Sequence, residues 1–264
     1  KAENSGFVSA SYINFLSEVN MGFTSTAYQV DDVGTFGVGI RFIGYGEFDR
    51  LDENGNQLGN FNANDVALTG AYSTGLFENV KAGVSLDIIH SSYASFKSTA
   101  LAVSGGVYYK NEFKNFSAGL SVRNLGAQIH SFNGSREPLP LDISAGISKK
   151  PDAFPFRLNL TFKQLNNWDM RIFGETEKPN LPDNLLRHFL FGVEANIAQV
   201  VDLRLGYDHY LHELTKTGNN FDLAGFAIGV GFEIQKITFD LSRNSYSDLG
   251  GITRISIKTA LFDQ

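Results

Sequence analysis

The feature that most constrains this chain is a period of two, repeated along its length and broken at intervals by turns. It is plainest in the stretch 221–262. There Phe226, Ile228, Val230, Phe232 and Ile234 share one parity, and Gly225, Ala227, Gly229, Gly231 and Glu233 the other. Ile237, Phe239 and Leu241 then oppose Thr238, Asp240, Ser242 and Asn244, and Ile255, Ile257 and Leu261 oppose Arg254, Ser256, Lys258 and Ala260. Successive side chains of a strand point to opposite faces, so each segment is a strand with one apolar face. A soluble sandwich turns that face inward, whereas a membrane barrel turns it toward lipid. Period two alone admits both.

The same reading places strands at 6–15, 19–30, 33–48, 64–74, 79–93, 99–109, 116–123, 141–148, 156–164, 188–197 and 201–210, ahead of the final three. The total is about fourteen, each near the length that a tilted membrane strand needs. No segment carries a period of 3.6, and all six prolines fall in connections, where they interrupt no ladder. The connections alternate. Short ones lie near 31, 76, 111, 152, 199 and 235; longer ones occupy 49–62, 124–138, 165–186 and 211–220, with smaller members near 17, 95 and 248. A meander with one trimmed and one elaborated end is the pattern of outer-membrane barrels, and Greek-key crossovers are not expected to keep it. An even strand count puts both termini at the trimmed, periplasmic end. The expected fold is an all-β, antiparallel transmembrane barrel occupying 1–264 as a single domain.

Composition agrees. Of 264 residues 19% are charged and 13% aromatic; the net charge of -6 includes no basic block, which argues against nucleic acid as a partner. Without cysteine there is neither a disulfide framework nor a thiolate metal site. The face opposite the apolar stripes mixes acid and base: Arg41, Asp87, Arg123, Asp142, Arg157, Lys163, Glu194, Asp202, Arg204, Asp208, Asp240, Arg254 and Lys258. Within a narrow barrel these point inward, and Arg41, Arg123, Asp142, Arg157, Glu194, Asp202, Arg204, Asp240 and Arg254 are expected to form a luminal charge network. Phe7, Phe15, Tyr28, Tyr45, Phe48, Tyr72, Phe77, Tyr93, Tyr109, Tyr207 and Tyr210 cluster near strand ends, as interfacial girdles do.

Catalytic and metal chemistry find little support. His209 and His212 have no third ligand nearby in sequence. Asp52, Asn54 and Asn56 share part of a calcium-loop spacing without its terminal Glu, and the Asn54–Gly55 hairpin tip explains them better. There is no Gly-x-Ser-x-Gly elbow and no phosphate-binding glycine loop. No cofactor is expected. Trp168, the only tryptophan, reads as an interfacial anchor or as a contact for an external partner. Phe132, Phe173, Leu181, Leu185 and Leu186 lie on the two longest loops. They read either as docking residues, Phe132, Trp168, Phe173, Leu181 and Leu185 being the candidates, or as residues folded inward to close the barrel.

Several blocks are more specific: VRNLGAQIHSFNGSREPLPLDISAGISKK from Val122, then PFRLNL, NNWDM, RHFLFGVE and LRLGYDH, and the early YINFLSEVNMGFTSTAYQVDDVGTFGVGIRFIGYGEFD. With these blocks the chain resembles the PorQ family of Bacteroidetes, outer-membrane proteins of the type IX secretion system distantly similar to FadL-type fatty-acid porins. The resemblance implies a fourteen-stranded barrel in the outer membrane, in contact with its lipid and without enzymatic activity. It implies an attachment component holding a surface partner of the PorZ type and, more loosely, working with the sortase and its sister barrel. It also implies a signal peptide and a plug-like segment ahead of Lys1, which these residues do not include.

Three functions follow as expectations: a scaffold for that surface partner, a FadL-like transporter of small hydrophobic solutes, and a plain diffusion pore. The luminal parity reads as polar and small, apart from Ile89, Tyr108 and Phe226, which counts against transport.

Overall fold

The computed structural model describes residues 6–15, 17–132, 134, 136–198, 200–217, 222–247 and 250–261. Phe221 and Phe262, the bounds of the stretch read first, lie outside them. Fourteen antiparallel strands, each paired with its sequence neighbours, close into a barrel when the last pairs with the first. They are β1 (Gly6–Asn14), β2 (Asn20–Val30), β3 (Gly34–Leu51), β4 (Gln57–Phe77), β5 (Val80–Tyr93), β6 (Phe96–Asn111), β7 (Phe116–His130), β8 (Asp142–Lys149), β9 (Phe156–Phe162), β10 (Phe189–Ile197), β11 (Val201–Asp208), β12 (Phe226–Ile234), β13 (Ile237–Ser245) and β14 (Gly251–Ala260). Two short helices, α1 (Leu181–His188) and α2 (His209–Thr215), stand at the long-loop end. The sequence pattern showed neither.

The strands differ in height. β3 to β7 rise past the others because polar residues continue the ladder above the apolar rows. Asn60 donates to Glu47 at 2.7 Å and Gln57 to Asp49 at 2.8 Å across the β3–β4 pair. Much of 49–62, expected as a connection, is therefore strand, with a turn only around Asp52, whose carboxylate accepts the Asn54 and Asn56 amides at 2.8 Å. β7 likewise runs into 124–138. A register shift opposite Val103–Gly105 and a left-handed Asn124 (φ 60) carry it past the rim. The short side ends at the rim, and there the helices take over.

Register assigns the faces. Leu203, Val230, Leu241 and Ile255 form one cross-strand row; Arg204, Gly229, Ser242 and Arg254 form the next. The first parity is exposed and apolar around most of the barrel, as at Val38, Ile40, Leu68, Leu86, Ile88, Ile228 and Phe232. The second carries the ion pairs and is the luminal one. Aromatic rings end the outward rows at both rims. At the turn end the Phe36–Tyr72 pair lies 5.1 Å apart and Tyr109–Phe116 6.2 Å. At the loop end Phe162 stacks on Phe189 at 4.9 Å and Tyr207 meets Phe226 at 4.8 Å.

β1 and β2 break the rule. Register puts Val8, Ala10, Tyr12, Gly22, Thr24 and Thr26 on the outward side, in line with Ile257, Ile40 and Phe42. Their larger apolar residues, Phe7, Ile13, Met21 and Phe23, face the lumen alongside Arg41 and Ile43. The Phe42 ring lies over Gly22 and occupies the space that a Cβ would need, so it covers part of the thin outer surface.

Candidate functional site

The lumen and the cap above it hold the chemistry-bearing side chains. The expected charge network divides into separate groups rather than forming one. Arg204 on β11 donates to Glu194 and Asp202, each at 3.0 Å, and to Asp240 on β13. Arg123 on β7 pairs with Asp142 on β8, which also accepts the Ser144 hydroxyl at 2.9 Å. Register sets both groups, since Glu194 lies opposite Arg204, and Arg123 opposite Asp142. Arg157 donates to Ser148 at 3.5 Å and makes no ion pair among the described residues. Among the described residues neither Arg41 nor Arg254 makes an ion pair. Arg41 lies directly opposite Phe23 and Arg254 directly opposite Ile13, so apolar side chains take the place of carboxylates. A third pair, Lys163–Asp208 at 2.6 Å, ties the end of β9 to the end of β11.

The lumen is also less uniformly polar than the sequence suggested. Phe226 faces outward, opposite Tyr207. Toward the loop end, Ile13, Met21, Phe23 and Ile43 make an apolar patch on β1–β3. Beside it, Tyr45 and Tyr93 both donate to the Asp65 carboxylate, at 2.7 and 3.0 Å, and their rings lie 5.8 Å apart. Phe132 packs on Tyr93 at 5.1 Å. Phe132 and Glu137 thus lie back against the tall wall, where the Gln128 side chain accepts the Glu137 amide at 2.8 Å. Deeper down, the wall of β4–β9 carries Gly83, Gly106, Ser121, Ser144, Gly146 and Thr161, and these small side chains leave a groove of about 620 Å³. The apolar patch escaped the sequence reading because β1 and β2 have no strongly apolar parity; only pairing with β3 and β14 shows which way Phe23 points.

The cap stands over the short wall. Asn180 caps α1 by accepting the Asp183 amide at 3.0 Å, Pro182 occupies its first turn, and Arg187 and His188 close its last. The buried side of this helix is polar: Asn184, Arg187 and His188. Arg187 is 2% exposed and bonds Glu175 at 2.7 Å, Asp183 at 2.9 Å and the Met170 carbonyl at 3.0 Å, with Glu213 of α2 at 3.7 Å. Its guanidinium holds the Glu175 carboxyl down at about 2, and the carboxylates in turn raise the arginine further. His209 bridges to Asp183 at 2.9 Å, joining the two helices. His188 is fully buried, with Nδ1 at 2.8 Å from the Lys163 carbonyl, and Trp168 stacks on its ring at 5.0 Å.

With its polar side inward, α1 presents its apolar side outward. Leu181 is 69% exposed, Leu185 and Leu186 are partly so, and Phe173 is fully exposed on the preceding loop. Trp168 is half exposed beside Phe162 and His188. The structure therefore groups Trp168, Phe173, Leu181 and Leu185 on the cap and places Phe132 apart, on the tall wall. His209 and His212 stack at 6.1 Å, and no group of metal-binding side chains occurs among the described residues.

No known protein-family model matches the chain, and no curated protein matches it in sequence. Solved structures do. The toluene transporter TodX of Pseudomonas putida is similar with a TM-score of 0.54 and 12% identity, over 98% of this chain and 88% of that one. The toluene transporter TbuX of Ralstonia pickettii gives 0.52 and 11%, over 97% and 87%. The fold is a FadL-like barrel of fourteen antiparallel strands.

Proposed function

We propose that this chain is an outer-membrane barrel that admits small hydrophobic solutes at its loop end. The belt of outward apolar residues supports the membrane placement. Nine or so residues per strand, tilted, span about 20–25 Å, the height of the apolar band of such barrels. The luminal apolar patch of Ile13, Met21, Phe23 and Ile43, beside the Tyr45–Tyr93–Phe132 aromatics, carries the transport reading. Burying apolar surface there stabilises a hydrocarbon and offers a hydrated sugar nothing. The likeness to the two toluene transporters agrees with this choice of solute. The test is uptake into proteoliposomes of toluene against glucose. Phe23→Asp should reduce toluene uptake about tenfold while leaving the folded fraction unchanged. Equal toluene uptake by the variant removes the patch from the pathway.

A second reading rests on the outward apolar side of α1. Phe173, Leu181 and Leu185, held on a cap braced by Arg187, suit a scaffold that docks a surface protein of the PorZ type, with the sortase and sister barrel as further members of an attachment complex. Replacing 165–186 by a short Gly-Ser hairpin should release that partner from pull-downs and leave the barrel folded. Full partner recovery removes this reading.

A further inference from the structure

On the outer wall, β11–β14 enclose a groove of about 450 Å³ whose floor is Leu203, Leu205, Ile228, Val230 and Leu241. At its loop-end edge stands a charge on the outward parity. Arg243 lies in the row Leu205–Ile228–Arg243–Thr253, directly above Leu241 and Phe239 on its own strand. Its guanidinium rests against Gly251, where a Cβ would come within 3.1 Å of it, and Nη1 donates to the Thr253 hydroxyl at 3.0 Å. It makes no ion pair among the described residues. Tyr207 and Phe226, one step nearer the loop end on β11 and β12, put Arg243 at the level of the aromatic girdle.

An arginine on this parity requires a reason. Lys149, another outward cation of the short wall, sits at the opposite end and donates to the Lys114 carbonyl. Among the described residues Arg243 keeps most of its donors free, beside an almost wholly apolar trough. A forked cation at the headgroup level above an acyl-sized apolar groove is complementary to one kind of molecule: a lipid with a phosphate headgroup and hydrocarbon tails. We propose that this groove binds an anionic phospholipid, with the phosphate on Arg243 and Thr253 and one acyl chain along Ile228, Val230 and Leu241. The proposal rests on the membrane placement above but not on transport.

Native mass spectrometry of the full barrel released from detergent tests it, with phosphatidylglycerol, lipid A and diacylglycerol as separate probes. Wild-type protein should retain one phosphatidylglycerol. Arg243→Gln should lower retention about tenfold and Arg243→Lys less, while Lys149→Gln should leave it unchanged. Heat-modifiable gel mobility confirms that each variant is folded. Equal retention by Arg243→Gln overturns the site, as does equal retention of diacylglycerol, which lacks the phosphate. Retention of lipid A in place of phosphatidylglycerol overturns the phospholipid assignment. A chain that stays dispersed without any detergent instead defeats the membrane placement itself.

Discussion

The two sides of the barrel finish their loop ends differently. From β3 to β7 the strands continue upward on backbone hydrogen bonds, with polar residues such as Glu47 and Asn60 paired across the ladder. From β8 to β12 the strands stop at the rim, and a helical cap built around one buried arginine takes their place. The tall wall spreads its stability over many backbone bonds, so that a single side chain matters little. The cap concentrates its stability in Arg187, which makes it vulnerable to a single change. Taking one partner from a buried ion pair leaves unpaired charge in a low dielectric, which costs far more than losing an exposed contact.

The largest expected effect follows from that contrast. Arg187→Met leaves Glu175, Asp183 and Glu213 facing one another without their cation, at a cost of about 3–5 kcal/mol. Hydrogen exchange should rise sharply over 168–216 while heat-modifiable mobility of the barrel stays normal. Loss of barrel folding in this variant would show that the cap is part of the barrel's own stability.

Below the rim the two sides should behave alike. Val230→Arg on β12 and Leu68→Arg on β4 both place a guanidinium on the apolar belt, at about 2–4 kcal/mol near the midplane. Gly229→Arg points into the lumen, where its Cβ would make ordinary contact with Ser242 and Arg204 at 3.5 and 3.6 Å, and it should cost less. Chemical denaturation of detergent-folded protein measures all three. A harmless Leu68→Arg beside a harmful Val230→Arg would mean that only one side contacts lipid.

Acid should affect the cap before the wall. The Glu175 carboxyl sits at about 2, lowered from its usual 4.5 chiefly by the Arg187 hydrogen bonds. A lowered value means that the stabilisation is complete above about pH 4.5 and is lost as pH falls toward 2. Trp168 fluorescence should report loosening across that window, and Glu175→Gln should abolish the dependence. The smallest effect belongs to the tall wall: Asn60→Ala removes an exposed bond to Glu47 and should shift stability by no more than about 0.5 kcal/mol.

Much of the fold was legible in the residues because a barrel writes one signal many times. Strand number, order and the outward parity of β12–β14 follow from alternation and turn spacing alone. What escaped has physical causes. Asn60 and Asn62 look like loop residues, yet a ladder above the apolar belt asks nothing apolar of its side chains. α1 hides its helical character because it spans only two turns and its faces are reversed: Asn184, Arg187 and His188 are buried, while the short apolar stripe of Leu181 and Leu185 faces outward. Of the expected charge network, Glu194, Asp202, Arg204 and Asp240 come together. Arg41, Arg157 and Arg254 do not join them, since parity places a residue in the lumen without choosing its partner.

In a membrane, the apolar parity of β12 should face lipid, while on β2 the small, polar parity should do so and Phe23 should face the lumen. The chain has no cysteine, so single cysteines can carry spin labels without background. Collision with oxygen, which partitions into lipid, against a water-soluble nickel chelate reads each position directly in reconstituted bilayers. Oxygen accessibility should peak at positions 228, 230 and 232 on β12 and at 24 and 26 on β2, with nickel accessibility peaking at 229 and 23. Oxygen maxima at 21 and 23 instead would contradict the inverted β1–β2 seam, and with it the apolar luminal patch on which the transport reading stands.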